Sequence, residues 1–551
     1  MNPPPSGRLA ALLSHPLVLG ALLLLPVVFV MPPMPIDETR YLAVAWEMRQ
    51  TGEFLVPHLN GDLYSHKPPL LFWLVNLGWL VTGMQAWTGR AVILACSLLS
   101  VTLLQRVARR LGLGETGARH AQWVLLGMAY FALFANAIMF DVLLVTCVLV
   151  GLLGVIDLAE GRFRRGVLVT GAAIGLGILA KGPVILLDLG FAAVGAPFWN
   201  AAARTARGRY YAGLGLAVLF GAAIGLAWAI PAAVHGGPDY ANAIFLHQTV
   251  DRVSSSFAHR RPVWWYLMVL PFMLLPWPLV LRGRWAALRT LGGEPALRLA
   301  LVWVLPTFVA FSLISGKQPH YLLPLLPGVA LGLAAALERR ALEVRTGLLA
   351  MALLVAGAGL VYLPQHAAQD SGLELIAPMW PWWGGLAALL GMALWLVRRR
   401  LPGVMAAALA GLAAILLGKL ALLQATGDRY DVTAVAAQVR AAQERGQPIA
   451  HVGWHHGVYE FAGRLTEPLA TVELAKLGDW AAAHPDGLVI SFYRRYRFAA
   501  TPVYVAPFRG GLVGIWRARE AVASGLDPQA ARRLKDTKDK EDKDEDTTAD
   551  D

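Results

Sequence analysis

The stretch PLVLGALLLLPVVFVMPPMPIDETRY, residues 16–41, joins an uncharged apolar run to a group of charges. A helix needs about 20 largely apolar residues to cross roughly 30 Å of membrane hydrocarbon. No cleavage site of the A-x-A type follows the run, so it predicts a retained first membrane helix and not a signal peptide. Asp37 and Glu38 are therefore expected at the edge of a membrane.

The composition extends this expectation to most of the chain. Of 551 residues, 57% are hydrophobic and 15% are charged, and the mean hydropathy is +0.53. Soluble domains are about half apolar and a quarter charged. The apolar runs lack the alternating strands of a barrel, so the spans are predicted to be helical. Cys96 and Cys147 both lie in apolar runs and predict no disulfide framework.

Thirteen candidate spans can be counted, at about 15–31, 87–106, 120–138, 142–158, 166–180, 183–198, 211–233, 263–281, 299–315, 320–337, 346–364, 379–397 and 402–424. Arginine clusters such as Arg162, Arg164 and Arg165 fall in one set of alternate loops, which the positive-inside rule assigns to the cytoplasm. The sequence thus predicts a multi-pass inner-membrane protein with a cytoplasmic N-terminus. These loops account for the net charge of +12, and no nucleic-acid partner is predicted.

The domain organisation follows from where the apolar runs stop. A transmembrane domain is predicted at 1–425, with a first periplasmic loop at 36–85 that carries interfacial helices. After residue 425, one amphipathic helix is followed by short strands in PIAHVGW, GLVISFYRRY, TPVYVAPF and GLVGIWRA. This pattern predicts a periplasmic α/β domain at 426–522. The charged end, 523–551, is predicted to be disordered.

Polar residues collect on the face predicted to lie outside the cytoplasm. They are Asp37, Glu38, Arg40, Lys67, Asp141, Lys181, Arg252, Lys317, His320 and Tyr321. Ionisable groups near lipid are costly and are usually paired or functional. Cations and a tyrosine can hold phosphate oxygens, and a carboxylate can orient or deprotonate an attacking group. The set predicts a pocket for an anionic, hydroxyl-bearing ligand.

Each of these residues also has a structural explanation. Asp37 or Glu38 alone could cap the helix that follows, and Asp141 could mark a turn between two spans. The lysines could extend to the lipid headgroups, although the Pro or Gly after each of them is not needed for that. Arg252 could be a solvated loop charge, and Tyr321 could belong to an aromatic belt.

Three histidines form the other notable group, His451, His455 and His456 in AHVGWHHGVYE. A pair spaced i, i+4 can bind a metal ion on a helix. This segment instead predicts a strand and a turn, so a metal site is the weaker interpretation.

The order of the motifs resembles that of a known superfamily. The segment IDETRYLAVAWEMRQTGEFLVPHLNGDLYSHKPPLLFWLVNLGW, residues 36–79, looks like the first outer loop of the aminoarabinose lipid A transferases and related GT-C glycosyltransferases. That loop is expected to carry D-E-x-R-Y, G-(D/E)-x-x-x-P and (E/H)-K-P-P in this order. FDVLLV, AKGPV, FLHQTVDR with HRRPVWWYL, and KQPHYLLPLLP follow in the expected order. The resemblance, which extends to the dolichyl-phosphate-mannose-like mannosyltransferases, covers about residues 15–425.

By this resemblance, the protein is an inverting GT-C enzyme that takes a sugar from a polyprenyl-phosphate carrier. The acceptor would be periplasmic, with a lipid A phosphate as one candidate. Asp37 and Asp141, with the neighbouring Glu38, would form the acidic reaction centre. The phosphate-binding candidates are Arg40, Lys67, Lys181, Arg252, Lys317 and Tyr321. Some GT-C relatives use a divalent metal ion, so the resemblance leaves the cofactor open.

Other classes fit parts of this pattern. Mannosyltransferase-like enzymes that act on proteins or glycans share the outer loop. A flippase or transporter for lipid-linked sugars also has many helices with buried charges. Transporters, however, usually bind substrate at the midplane and often show internal repeats, and no repeat is seen in this sequence. A glycan polymerase or ligase shares the donor but keeps its site in one long outer loop, whereas these candidates spread over five loops.

Overall fold

The structure is a computed structural model that describes residues 15–245, 261–283, 292–366 and 376–528. These residues pack as two compact units. The helical unit contains residues 15–31, 54–57 and the described part of 63–425. The sheet unit contains residues 32–53, 58–62 and 426–528. The predicted domain boundaries at 425 and 522 stay predictions, and most of the predicted disordered end lies outside the described residues.

The helical unit has the helices that the apolar runs predict. Among the described residues, eight helical segments are long and apolar enough to cross a membrane: Ala86–Arg110, Phe140–Ala159, Phe163–Lys181, Arg207–Phe245, Pro295–Leu313, Pro319–Glu338, Gly347–His366 and the segment Gly403–Glu444, whose first helix is Gly403–Thr426. Shorter apolar helices are Pro16–Val30, Leu70–Thr82, Val184–Val194 and Pro381–Val397. The predicted fold class, a polytopic α-helical membrane protein, is confirmed. The count of thirteen spans stays a prediction.

Two predicted spans are interrupted helices. The span predicted at 120–138 consists of Glu115–Gly127 and Ala129–Phe134, which meet at Met128 in an extended conformation. The span predicted at 263–281 consists of Trp265–Met273 and Trp277–Val280. The helical unit also has the short helices Ala196–Trp199 and Ala201–Thr205 and a pair of antiparallel strands, Leu281–Gly283 and Leu342–Val344. The short strands His58–Leu59 and Asp62–Leu63 lie in the first loop.

Small residues let two long helices pack backbone to backbone. A Cβ atom at Gly171 would lie 2.5 Å from Cδ1 of Phe220, and one at Gly175 would lie 2.5 Å from Cβ of Ile224. Glycines at such contacts allow the close approach on which membrane helices depend, because lipid provides no hydrophobic drive for helix association. The contact holds Phe163–Lys181 against Arg207–Asn242 and thereby positions the residue that ends the first helix, Lys181.

A buried carboxylate fixes the other end of the neighbouring helix. Asp157, in the last turn of Phe140–Ala159, is 1% exposed. Its oxygens lie 2.8 Å from Arg110, 2.8 Å from Arg162 and 3.0 Å from Arg165. The predicted arginine-rich loops therefore hold this helix end by ion pairs.

The sheet unit contains one five-stranded mixed sheet. The strand order is Ala470–Val472, Ile449–Val452, Leu488–Phe492, Gly511–Arg517 and Tyr504–Phe508. The first three strands run parallel, and the last two pair antiparallel to their neighbours. The helices of this unit are Asp37–Thr51, Thr433–Glu444, Glu460–Gly463, Leu477–Ala483 and Ala518–Ser524, with 3-10 turns at Gly427–Tyr430 and Leu474–Lys476.

Alternation along the strands supplies a hydrophobic core on each face of the sheet. Leu488 and Ile490 pack in one cluster with Val439, whereas Val489 packs in the other with Trp516. Successive side chains of a strand point to opposite faces, so one short strand serves both clusters. The four strands predicted from sequence are present, and Ala470–Val472 is an additional strand that the sequence pattern did not predict.

The sheet unit also includes residues from the predicted first loop. Nε1 of Trp46 donates to the carbonyl of Leu465 at 2.9 Å. The Asn60 side chain makes two bonds with the backbone of Leu469: Nδ2 donates to the carbonyl at 2.9 Å, and Oδ1 accepts from the amide at 2.7 Å. These bonds join segments more than 400 residues apart in the chain.

Candidate active site

The helical unit brings Asp141 and Lys181 together as a buried ion pair. Nζ of Lys181 donates to Oδ1 of Asp141 at 2.5 Å, and the side chains are 8% and 3% exposed. Asp141 lies in the first turn of Phe140–Ala159, where unpaired amide groups favour a carboxylate. Lys181 ends Phe163–Lys181, where the helix dipole favours a cation, and Gly182 follows at φ +78°. Two helix ends of opposite polarity therefore meet at this pair.

Further polar side chains surround the pair. Nζ of Lys181 lies 4.7 Å from the centre of the Tyr321 ring. Nζ of Lys67 lies 5.8 Å from the centre of the Phe140 ring, and both Lys67 and His320 act electrostatically on Asp141. Sequence reasoning placed His320 on the same face as Tyr321, which it directly precedes, but gave it no role in the site. Lys67 and Lys181 thus supply ammonium groups that can hold an anionic ligand by charge-assisted hydrogen bonds.

A cavity of about 300 Å³ opens beside the two lysines. Its polar lining comes from Ser65, His66, Lys67 and Lys181. Its apolar lining comes from Ile178, Pro183, Ala222, Leu226, Trp228, Ala229, Ile244 and Phe245, among others. A ligand with an anionic group on a long apolar chain would find both kinds of contact in this cavity.

Asp37, Glu38 and Arg40 lie in the sheet unit, at the start of Asp37–Thr51. Arg40 forms an ion pair with Asp37 one turn before it, and both side chains are partly exposed. Glu38 is 5% exposed, and its Oε2 accepts a hydrogen bond from the amide of Met34 at 2.8 Å. Glu38 therefore holds the turn that leads into the helix, but the N-cap residue is Ile36 and no side chain caps the helix, so the capping interpretation is wrong. The reaction centre of Asp37, Glu38 and Asp141 stays a prediction.

Known proteins resemble the chain over the helical unit and beyond. A family described as "Dolichyl-phosphate-mannose-protein mannosyltransferase" matches residues 66–231. An undecaprenyl phosphate-alpha-4-amino-4-deoxy-L-arabinose arabinosyl transferase from Edwardsiella ictaluri is 29% identical over 409 residues, which are 66% of this chain and 72% of that protein. A protein of the same name from Pseudomonas aeruginosa is 34% identical over 318 residues, so the chain spans little more than half of it, 55%.

A solved structure agrees with the fold. ArnT from Cupriavidus metallidurans, bound to undecaprenyl phosphate, aligns with a TM-score of 0.72 at 21% identity, over 93% of this chain and 98% of that chain. The apo form of the same protein aligns with a TM-score of 0.71. The chain is a membrane glycosyltransferase, and it shares the fold of ArnT. The resemblance to the aminoarabinose transferase family and the multi-pass membrane class predicted from the sequence are confirmed.

Sequence reasoning missed a buried carboxylate of the glycosyltransferase, Asp188, which interacts with the ion pair of Asp141 and Lys181. Asp188, in Val184–Val194, is fully buried, and neither carboxylate oxygen has a hydrogen-bond partner among the described residues. It interacts electrostatically with Lys181 and Asp141. The available signal was a single aspartate inside the apolar run VILLDLGF, the same signal that identified Asp141.

Lys317 of the glycosyltransferase has backbone partners. It is 2% exposed and donates to the carbonyls of Ile314 at 2.6 Å and Arg261 at 2.9 Å. Ile314 is the C-cap of Pro295–Leu313, where a lysine commonly holds the last carbonyls of a helix. Its predicted phosphate contact stays a prediction.

The sequence-based expectations for the glycosyltransferase's site also include Arg252 and a divalent metal ion. Arg252 lies outside the described residues. Within the four described ranges, no group of three or more His, Cys, Asp or Glu side chains is arranged to hold a metal ion. The divalent metal ion that the resemblance leaves open therefore gains no candidate cluster from this part of the chain.

Proposed function

We propose that this glycosyltransferase moves a sugar from an undecaprenyl-phosphate-like carrier to a phosphorylated lipid acceptor of the lipid A type. The sugar suggested by the names of the relatives is 4-amino-4-deoxy-L-arabinose. The proposal places the reaction on the periplasmic side of the inner membrane, with the N-terminus in the cytoplasm. The observation that carries it is the cavity beside Lys67 and Lys181, which has cationic groups at one side and apolar walls.

In this proposal, the two lysines hold the phosphate of the carrier. An acceptor oxygen forms a bond to the anomeric carbon while the bond from that carbon to the carrier phosphate breaks. The phosphate leaves with the bonding electron pair, and the configuration at the anomeric carbon inverts. Negative charge grows on the leaving phosphate in the transition state, so cations placed there in advance lower the barrier. Tyr321 and Arg252 are proposed as further contacts to phosphate.

Asp141 is proposed to orient Lys181 toward the carrier phosphate. Its bond of 2.5 Å to Nζ fixes the lysine side chain, which would otherwise have many rotamers. Asp37 and Arg40 are proposed to handle the acceptor, a role that rests on the resemblance. An ionised acceptor phosphate needs positioning more than proton removal, whereas an acceptor hydroxyl would need Asp37 as a base.

The test compares two buried aspartates of one helix. Asp141→Asn removes the partner of Lys181, while Asp157→Asn changes a paired aspartate at the opposite end of Phe140–Ala159. We expect Asp141→Asn to lower sugar transfer by about 100-fold or more, a size typical of lost electrostatic preorganisation. Asp157→Asn should keep its turnover per folded molecule. Equal turnover in both variants would refute the assignment of the site.

The runner-up function is transfer of a hexose to protein or glycan, which the matched mannosyltransferase family favours. Mass spectrometry of lipid A, glycans and envelope proteins from cells with and without the gene separates the two. An added aminopentose on lipid A supports the proposal. A hexose on protein with unchanged lipid A supports the runner-up.

A further inference from the structure

The sheet unit contains a cavity of about 240 Å³ that the proposed transfer has not used. We call it the arginine pocket, and its polar lining residues are His455, His456, Arg494, Arg495 and Arg509. Its aromatic lining residues are Trp454, Phe492 and Phe508. None of its lining residues carries a carboxylate.

Topology explains why these residues meet. Ile449–Val452 and Leu488–Phe492 are parallel, so their carboxyl ends lie at the same edge of the sheet. His455 and His456 follow the first strand, and Arg494 and Arg495 follow the second. The hairpin between the last two strands carries Arg509 to this edge as well, because Phe492 pairs with Val513 just after the turn. Crevices outside the carboxyl ends of strands are common ligand sites.

The charges in and around the pocket favour an anion. Arg494 donates to the carbonyl of Gly510 at 3.1 Å, and Arg495 and Arg509 are exposed. Burial, and after it the charges of Arg40, Arg495 and Arg509, lower the pKa of His456 to about 4, while the charge of Asp37 acts in the opposite direction. His456 therefore has three cationic neighbours and one anionic neighbour, and both burial and the net charge around it disfavour a further positive charge there.

His455, a buried residue that lines the pocket, has a polar atom without a hydrogen-bond partner among the described residues. His455 is fully buried, and its Nε2 has no hydrogen-bond partner among the described residues. Its Nδ1 lies 3.2 Å from Oε1 of Glu460, but neither of these atoms forms a hydrogen bond among the described residues. Burial lowers the pKa of His455 well below its usual value, so the ring is neutral and one nitrogen carries a hydrogen. When Nε2 carries that hydrogen, it can donate to a ligand. A buried polar group without a partner usually needs an explanation, and an anion in the pocket supplies one.

We propose that the arginine pocket binds the phosphate group of a phosphorylated sugar and that, in this enzyme, the sugar phosphate is the headgroup of the lipid acceptor. The second part rests on the proposed function. The arginines supply charge-assisted hydrogen bonds to phosphate oxygens. The rings of Trp454, Phe492 and Phe508, which line the pocket, supply apolar contact for the sugar. Ile36, which also lines the pocket, directly precedes Asp37, so the pocket adjoins the motif proposed to handle the acceptor.

The test measures binding to the full-length protein in lipid nanodiscs. The ligands are bisphosphorylated lipid A, the same lipid after enzymatic removal of its phosphates, and inorganic phosphate. The pocket variant is Arg495→Gln with Arg509→Gln. The matched control is Arg445→Gln with Arg519→Gln, two exposed arginines of the same unit that do not line the pocket. All four side chains are exposed, so the variants are expected to fold.

We expect the pocket variant to bind bisphosphorylated lipid A at least tenfold more weakly than the control, with a higher KM for the acceptor and little change in kcat. Removal of the phosphates should abolish the difference between the variants. Equal affinities of pocket and control variants would overturn the proposal. Arginine-dependent binding of inorganic phosphate without binding of the lipid would overturn the acceptor assignment.

A separate variant keeps the two proposals distinguishable. Asp141→Asn lies in the helical unit, so it should bind bisphosphorylated lipid A as the unchanged protein does while losing transfer. If it retains transfer, the proposed reaction centre fails even where the arginine pocket binds lipid. If it loses transfer while the pocket variant binds normally, the pocket assignment alone fails.

Discussion

Lys181 combines two functions that a substitution can separate. Its ammonium group neutralises the buried Asp141, and in the proposed reaction it also faces the carrier phosphate. Removing one partner of a buried ion pair leaves an uncompensated charge, which costs roughly 3–5 kcal/mol of stability. A simple loss of activity in a Lys181 variant would therefore not identify its role.

The charge-neutral double variant resolves this. We expect Lys181→Gln alone to lower both thermal stability and transfer, because Asp141 remains buried without its partner. Asp141→Asn combined with Lys181→Gln should recover much of the stability, since the side chains at positions 141 and 181 are then both uncharged. Transfer should stay at least 100-fold below normal, as a lost transition-state cation predicts. Thermal unfolding and a transfer assay in the same detergent check both statements, and recovered transfer would contradict a chemical role for Lys181.

Glu460 should make the stability of the sheet unit depend on pH. Burial raises its pKa from 4.5 to about 7, so the folded protein holds this proton more tightly than the unfolded chain. The contribution of Glu460 to the free energy of unfolding is fully present below pH 4.5 and is lost as the pH rises to about 7. At about 1.4 kcal/mol for each unit of pKa difference, the loss is roughly 3 kcal/mol. Glu460→Gln should therefore gain stability relative to the unchanged protein between pH 5 and pH 8.

Differential scanning fluorimetry at several pH values measures this. The pKa values of His451 and His456 are lowered to about 4, so these residues make the folded protein less stable as the pH falls. They are present in both proteins, so their contribution largely cancels in the difference. Glu467→Gln, a change at an exposed position, is the control. If the difference in unfolding temperature between Glu460→Gln and the unchanged protein does not vary with pH, the raised pKa of Glu460 is contradicted.

At the residue level, a charge inside an apolar run was the signal that predicted the buried site residues. Asp141 and Lys181 were identified because each interrupts such a run, and the structure pairs them. Asp188 carries the same signal and follows Lys181 by seven residues, but sequence reasoning did not consider it. The backbone partners of Lys317 could not be predicted, because they depend on how Pro295–Leu313 ends.

At the level of elements, local patterns predicted the helices and most strands. Apolar runs of sufficient length gave the helix positions, and proline or an extended residue interrupted them at Pro276 and Met128. Ala470–Val472 escaped prediction because three residues show too little alternation to indicate a strand. That strand exists because Ile449–Val452 offers it a parallel edge.

Asn60 is the strongest single link between its segment and the rest of the sheet unit. It is 9% exposed, holds both backbone groups of Leu469 and adopts φ +58°. Asn60→Gly keeps this φ accessible and removes both hydrogen bonds, so we expect a loss of roughly 1–3 kcal/mol of stability. Gln50→Ala, which removes one exposed bond to Thr466, should cost less than about 1 kcal/mol. Equal losses in chemical denaturation would contradict this ranking.

At the scale of the whole molecule, the sequence predicted a topology that labelling can test. In a variant without Cys96 and Cys147, a single cysteine replaces either Asp486 or Arg164, both exposed. An impermeant maleimide should reach position 486 in intact cells once the outer membrane is permeabilised. It should reach position 164 only after lysis, because arginine-rich loops are expected in the cytoplasm. Labelling of both positions in intact cells would contradict the predicted orientation.

The grouping of residues 32–53 and 58–62 with the C-terminal part of the chain lay beyond sequence reasoning. Local periodicity predicts the helix Asp37–Thr51 but carries no information about a partner more than 400 residues away. The D-E-x-R-Y motif at residues 37–41 therefore lies within the sheet unit, whereas the H-K-P-P motif at residues 66–69 lies within the helical unit.

The hydrogen bonds between residues 46–60 and residues 465–469 constrain the amino acids of the first segment more than those of the second. Trp46, Gln50 and Asn60 all bond to main-chain atoms of residues 465–469, not to side chains. Any amino acid offers the carbonyls, and any except proline offers the amide of residue 469, as long as the backbone keeps its path. Leu465 and Leu469 are buried in the core, so homologues should keep them apolar. The exposed positions 466 and 467 should vary while a donor at 46 and an amide at 60 are retained, so covariation between the two segments would be weak although they touch.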